Sequence, residues 1–431
     1  VIHLWAWAAL GCAQDDTRQE IERLKKRVEE LERKAETGAW TEIRLGPTKL
    51  KIYGFIRLDV IYDDSRADFP GAGSTIGLIG FVRSEDPNAN PNTIGAREND
   101  NQLFVTPRLT RLGFDFDGPE IELLGAAKVT GKLEIDFYNG GSESRNIPRD
   151  RHFYLKLAWG ELSFLAGQTS DVVSPIFPVV NSDNVMWGMG NTGDRRPQVR
   201  FEFAPAVGAG KLVLQVAGGL TGAVDAQALS AFGPAPSRLN GEASGRPTLQ
   251  ALVAYRAPLW EKQDLEVGVW GHRGWEETDL RINGDKQFDS ALWGLHLILP
   301  LYESIAWFKG EIWAGHNLSD VRGGNFQDIN NRGSEIRASG GWAEIGVRAL
   351  AWLELYIGTA IDNPVNRDLT PFGVGGGNSA GRQQNVTFYA AVRVLASPVE
   401  IGLDYLYVAT TYLALGHGDD HRGAIYFAYR F

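Results

Sequence analysis

At 431 residues the chain is long enough for about two or three ordinary domains or for one large barrel. A formal net charge of −10 argues against a nucleic-acid partner, which needs a basic surface, and a single cysteine, Cys12, excludes an internal disulfide framework or a cysteine-based zinc site. Beyond residue 15 no apolar run approaches the roughly 18 residues of a spanning helix. The 51 glycines and the 13 Trp, 13 Tyr and 20 Phe are nevertheless the load of an all-β chain.

Residues 1–13 read as the rear half of a secretory signal: Val1 to Gly11 are mostly apolar and lead to Cys12. Small residues at Gly11 and Ala13 suit cleavage before Gln14; a lipoprotein-type cleavage acylating Cys12 is the other reading, weakened by Ala9 where Leu is usual. Residues 14–37 are a different material, charged and free of proline. Ile21, Leu24, Val28, Leu31 and Ala35 follow a 3,4,3,4 spacing, a heptad seam flanked by Glu20 and Arg27 on one side and Lys25 and Glu32 on the other. This predicts a short coiled coil, too short to be stable unless its chains are already held together. β-branched residues at a with Leu at d favour two strands. Residues 38–48 read as a linker.

From residue 49 the period is two. In Lys51–Val60, Ile52, Gly54, Ile56, Leu58 and Val60 oppose Arg57 and Asp59; in Thr130–Tyr138, Gly131, Leu133, Ile135 and Phe137 oppose Lys132, Glu134 and Asp136. The last strand sets Ile425, Phe427, Tyr429 and Phe431 against Ala424, Tyr426, Ala428 and Arg430. Charges recurring on one face of so many strands need water on that face. A soluble sandwich has its wet face outside, whereas a lipid-embedded barrel has a wet lumen.

The connections favour the barrel. About sixteen candidate strands are joined by alternately short and long links. The long ones are 64–101, 139–149, 171–196, 221–246, 275–287, 317–337, 362–384 and 412–422. Short turns at one rim and long loops at the other mark an outer-membrane barrel. Trp159, Trp260 and Trp352, all beside short turns, suit an interfacial girdle. The expected fold is thus all-β: a transmembrane antiparallel barrel of about sixteen strands over 49–431, preceded by a short coiled-coil helix.

No phosphate loop, nucleophile elbow or paired-histidine metal motif is present, so no catalytic residue, metal ligand or cofactor is expected. The inward charges are the candidates. Arg57, Arg111, Lys132, Lys156, Arg200, Lys309, Arg348 and Arg393 would line the pore, with Asp59, Glu134, Glu202, Glu311 and Glu344 interleaved. They read either as a lumen charged only to stay wet or as a basic ladder selecting anions. Arginine holds carboxylate or phosphate by a two-pronged contact. The link 171–196 follows the fifth strand and is unusually apolar (Val172–Val180, Met186–Gly190). A loop of this kind needs burial, either against the inner wall of the barrel or at an axis between subunits. Folded inward it would narrow the channel as a constriction loop, with Asp171, Asp183, Arg195 and Arg196 as its charged members.

The order of motifs resembles the DcaP-like trimeric porins, which are related to the phosphate-selective porins. The resemblance rests on a signal, a short coiled coil, Tyr53-Gly-Phe-Ile-Arg-Leu-Asp59, Arg111-Leu-Gly-Phe-Asp115, Arg151-His-Phe-Tyr154, Ala166-Gly-Gln-Thr-Ser170, Arg196-Pro-Gln-Val-Arg200 and the final Phe431. It implies a homotrimer of sixteen-stranded barrels in the bacterial outer membrane, with the coiled coil in the periplasm, passing small anions such as dicarboxylates. Its implied partners are outer-membrane lipid and lipopolysaccharide, the barrel-assembly machinery reading Phe431, and small anionic solutes. Other readings stay open: a tether joining barrel to cell wall through the coiled coil, a sugar-type porin, and a barrel hydrolase.

Overall fold

A computed structural model describes residues 42–69, 78–90, 92, 94–96, 100–138, 141–142, 145–180, 185–221, 243–260, 263–303, 305–372 and 380–431. The expected signal, the coiled coil and residues 38–41 of the expected linker lie outside the described residues.

Alternation over 9 to 20 residues at a time gives sixteen barrel strands. They are β1 (Thr48–Asp63), β2 (in two pieces, Gln102–Thr106 and Arg111–Ile121), β3 (Ala127–Asp136), β4 (Arg149–Trp159), β5 (Leu162–Ser170), β6 (Arg195–Phe203), β7 (Gly210–Gly219) and β8 (Thr248–Trp260). They continue with β9 (Gln263–Ile282), β10 (Asp285–Tyr302), β11 (Ala306–His316), β12 (Arg337–Leu350), β13 (Leu353–Pro364), β14 (Arg382–Ala396), β15 (Val399–Tyr412) and β16 (His417–Arg430). Each pairs antiparallel with the next, and β16 closes on β1 from Phe55↔Arg430 to Asp63↔Arg422. Gly54 and Phe431 exchange both backbone hydrogen bonds at 3.1 Å across this seam. A side chain at Gly54 would put its Cβ 2.2 Å from the Arg111 carbonyl oxygen, so only glycine fits that close approach. Within the stretch read as linker, Glu42–Leu45 forms a short extra strand that pairs with Thr48–Lys51.

Closure leaves no sheet edge, the condition for strands to cross hydrocarbon. The outward face carries exposed Ile56, Leu155, Val216, Trp293, Ile312, Ile357 and Phe388 from successive parts of the wall. Trp260 and Trp352 stand exposed at the short-turn rim, and Trp159 Nε1 there donates to the Leu124 carbonyl at 2.7 Å. Among the described residues no helix is long and apolar enough to cross a membrane.

Two stretches expected as long links are strand instead. Over 275–287 the ladder runs on through Trp275↔Asp289 to Ile282↔Asp285, and over 412–422 through Thr411↔His417 to Leu406↔Arg422. The first reversal is Asn283-Gly284, both at positive φ (50° and 98°), a tight hairpin whose twist matches its strands. Polar residues continue the period there, so composition suggested a loop where pairing persists.

The interior is not uniformly open. Segments of the first loop (64–101), the third (171–194) and the sixth (317–336) fold into the barrel and pack on the inner wall. Ile79, Val82, Ile176, Val180, Met186 and Met189 form one cluster with Trp342, Tyr389 and Leu406 of β12, β14 and β15. Phe69, Trp187 and Phe326, one from each loop, share a second cluster. Gly188, at φ 71°, has no room for a Cβ, which would sit 2.0 Å from the Phe326 ring.

Candidate functional site

The third loop leaves β5 and crosses to the far wall, where inward polar side chains hold its backbone. Val172 N–H donates to Gln250 Oε1 of β8 at 2.8 Å, Ile176 N–H to Glu311 of β11 at 3.2 Å, and Val179 N–H to Glu344 of β12 at 2.7 Å. The Ser174 hydroxyl also bonds Glu311, and Trp313 Nε1 donates to the Gly190 carbonyl at 2.7 Å. An apolar segment thereby satisfies its backbone without leaving the lumen. The sixth loop braces it: Arg322 pairs with Asp194.

This placement sorts the expected site residues. On the β11–β14 side, Lys309 lies 3.1 Å from Glu344 and donates to the Phe177 carbonyl at 3.1 Å. Arg393 pairs with Asp404 at 2.7 Å and donates to the Val179 carbonyl at 2.5 Å. Both cations therefore anchor the loop, and Glu311 and Glu344 are buried under it. Arg348 sits apart, near the short-turn rim, 2.6 Å from Glu354.

The β1–β6 wall, facing the loop across the remaining lumen, carries the other cations. Arg57 is 2.8 Å from Asp59 and lies over the Tyr426 ring. Arg111 is 3.5 Å from Glu134. Lys132 is 2.8 Å from Asp115 and donates to the Tyr53 hydroxyl at 2.9 Å. Lys156 is 3.5 Å from Glu202. Arg200 donates to Gln198 Oε1 at 2.9 Å and to the Ser170 carbonyl.

The constriction-loop charges divide differently. Asp171 and Arg196 form a buried pair at 2.6 Å, with Asp320 of the sixth loop 2.9 Å from the same guanidinium. These three lock the neck of the loop and are withdrawn from the lumen. Arg195 remains part-exposed, over the Trp187 ring. Asp183 lies outside the described residues.

Sequence reasoning missed Arg149 and did not list Arg151 among the inward charges. Arg149 is 2.6 Å from Asp136, and Arg151 bridges Glu134 at 2.8 Å and Asp136 at 2.7 Å. The register shifts between Asp150 and His152, so Arg149, Arg151 and His152 all reach the inner face. A strict period of two cannot show that; a bulge adds one residue and resets the parity.

On this wall several carboxylates lie beneath the cations. Arg57 keeps 12% of its side chain exposed over Asp59 at 0%, Arg149 21% over Asp136 at 0%, and Arg111 25% over Glu134 at 7%. The pairing is close to neutral in sum, but the positive ends stand nearer the water. Asp117 (46% exposed), Asp115 (43%) and Glu202 (27%) are the main open counter-charges.

No family model matches the sequence, and no curated protein matches it. Solved structures do match its fold. The outer membrane channel DcaP of Acinetobacter baumannii aligns with a TM-score of 0.66 at 17% identity, covering 89% of this chain and 97% of its own. The anion-selective porin of Comamonas acidovorans aligns at 0.55 and 11% identity, covering 89% and 100%. A trimer form of OmpT from Vibrio cholerae aligns at 0.53 and 12% identity, covering 90% and 100%. At such identities the likeness establishes the fold: a DcaP-like, porin-type barrel.

Proposed function

We propose that the protein is an outer-membrane porin, a passive diffusion channel for small hydrophilic solutes that favours organic anions such as dicarboxylates. The observation that carries the anion preference is the layering on the β1–β6 wall, where guanidinium groups stand above buried carboxylates. A passing anion meets the near positive charge, and the partner beneath is farther away. The long-loop rim would face outward and the short-turn rim the periplasm, as in porin-type barrels. Two structural counterparts, the anion-selective porin and the trimer form of OmpT, support the selectivity and a homotrimer as proposals for this chain. The inward third loop leaves a lumen lined by the β1–β6 wall, which supports a channel over a plugged tether.

Reversal potential in a planar bilayer under a salt gradient tests the reading. The wild-type channel should be anion-selective, and selectivity should weaken as salt shortens the screening length below about 8 Å. Lys156→Ala combined with Arg200→Ala should move the potential toward cations, since Glu202 then loses both neighbouring cations. A cation-selective wild type would overturn the anion reading.

A further inference from the structure

Below the neck of the third loop, on its short-turn side, lies a cavity of about 510 Å³ that the charge ladder does not explain. Its roof is the loop segment that includes Ile176 and Phe177, and its opposite side is the wall of β6–β10. The lining is unusual for a hydrophilic passage: Val213, Leu252 and Ile298 face in from β7, β8 and β10, and Phe177 keeps 38% of its surface exposed. Exposed apolar area inside a water-filled lumen costs free energy unless something apolar covers it.

The lower end of the same cavity carries two cations, Lys211 and Arg256, with Glu202 and Glu266 also in its lining. Lys211 and Arg256 are directly opposed across β7 and β8. Like charges so placed repel. Arg256 has Glu266 at 2.7 Å on its other flank. Lys211 is exposed, and no ion pair to it is found among the described residues. An anion between the two would relieve the repulsion. Val213 lies two residues up its strand from Lys211 on the same face, and Leu252 lies four residues from Arg256. At about 3.3 Å per residue these steps are roughly 7 and 13 Å.

Resting on the porin reading, we propose that this cavity is a subsite for organic anions with an apolar body. The carboxylate would sit between Lys211 and Arg256, and an aliphatic or aromatic body of about 7 Å would lie along Val213 and Phe177. Inorganic anions gain nothing from the apolar lining, so the site discriminates against phosphate and against carboxylates lacking a body. Small apolar groups favour such burial by roughly two- to fourfold per methylene, half to fully covered.

The test is blockade of single-channel chloride current by acetate, hexanoate and inorganic phosphate, each added at equal concentration to the full-length protein. Hexanoate should bind at least about tenfold more tightly than acetate, the effect of four methylenes partly covered. Phe177→Ser should remove most of that difference while leaving the affinity for acetate. Lys211→Gln should weaken acetate and hexanoate alike. Phe177 and Lys211 are exposed, so neither change threatens folding, and chloride conductance reports directly that each variant has inserted. An anion-selective channel on which hexanoate and acetate block equally would overturn the subsite and leave the porin reading standing. A channel without anion selectivity would overturn both.

Discussion

Arg393 shows what a lumen position means when a loop crosses the barrel. Alternation puts its side chain inside, but the third loop lies over it: 6% of the side chain is exposed, against 1% for its partner Asp404. Removing one member of a buried pair leaves the other charge without compensation, which costs about 3–5 kcal/mol. Arg393→Ala should therefore destabilise the barrel strongly in urea titrations of the liposome-folded protein. Arg393→Ala with Asp404→Ala should recover a large part of that loss, because the stranded carboxylate goes too. Ile357, 63% exposed on the outward face, provides the contrast. Ile357→Arg should cost about 2–4 kcal/mol if it lies at the bilayer midplane, by putting a cation against lipid rather than by unpairing one. A neutral Arg393→Ala would show that Asp404 reaches water after all.

At the scale of elements, strands were legible and loops only partly so. Strand faces follow from a local rule of period two, and a wet lumen enforces it along every strand, so Arg57, Lys132 and Arg200 are inward as alternation requires. The hairpins at Asn283-Gly284 and 413–416 escaped because polar residues on both faces look like loop, although Asn-Gly is itself a turn signal. The bulge after Asp150 hid Arg151 for the opposite reason, by breaking a rule that holds elsewhere. For the third loop, the apolar run Val172–Val180 indicated burial, but nothing local named Gln250, Glu311 and Glu344 as its anchors. Those contacts span 78, 135 and 165 residues of sequence, and only barrel closure brings them together. Glu311 holds most: the Ser174 hydroxyl, the Ile176 N–H and Trp342 Nε1 all converge on its carboxylate. Glu311→Leu strands these donors, each at about 1–3 kcal/mol if left buried and unpaired. The loop should then detach, and single-channel recordings should show a larger, noisier conductance from a barrel that still folds. Glu311→Gln keeps an acceptor and should stay near wild type. An unchanged trace for Glu311→Leu would mean the remaining anchors suffice.

Across the whole molecule, the three inward loops pack on the wall from β7 to β15 and leave the passage off-centre along β1–β6. The asymmetry concentrates function: the acidic residues Glu311 and Glu344 are consumed by the loop, while the ladder from Arg57 to Arg200 stays beside water. A net charge of −10 therefore says little about the potential a solute meets, since distant loop carboxylates are screened over about 8 Å. The coiled coil expected over 14–37 bears on assembly. By its a and d residues alone, the heptad seam over 14–37 would choose two strands, whereas the porin-type barrel argues for three. Five apolar seam positions make a weak device by themselves. A helix of that length gains stability mainly when its chains are already close, so the barrel walls should set the number and the coil should follow. Native mass spectrometry of the full chain should show a trimer. Deletion of residues 14–37 should leave a trimer that dissociates at lower detergent stress or temperature. A full-length dimer would show that the coil dictates the count, and a monomer after deletion would show that the walls cannot hold one another without it.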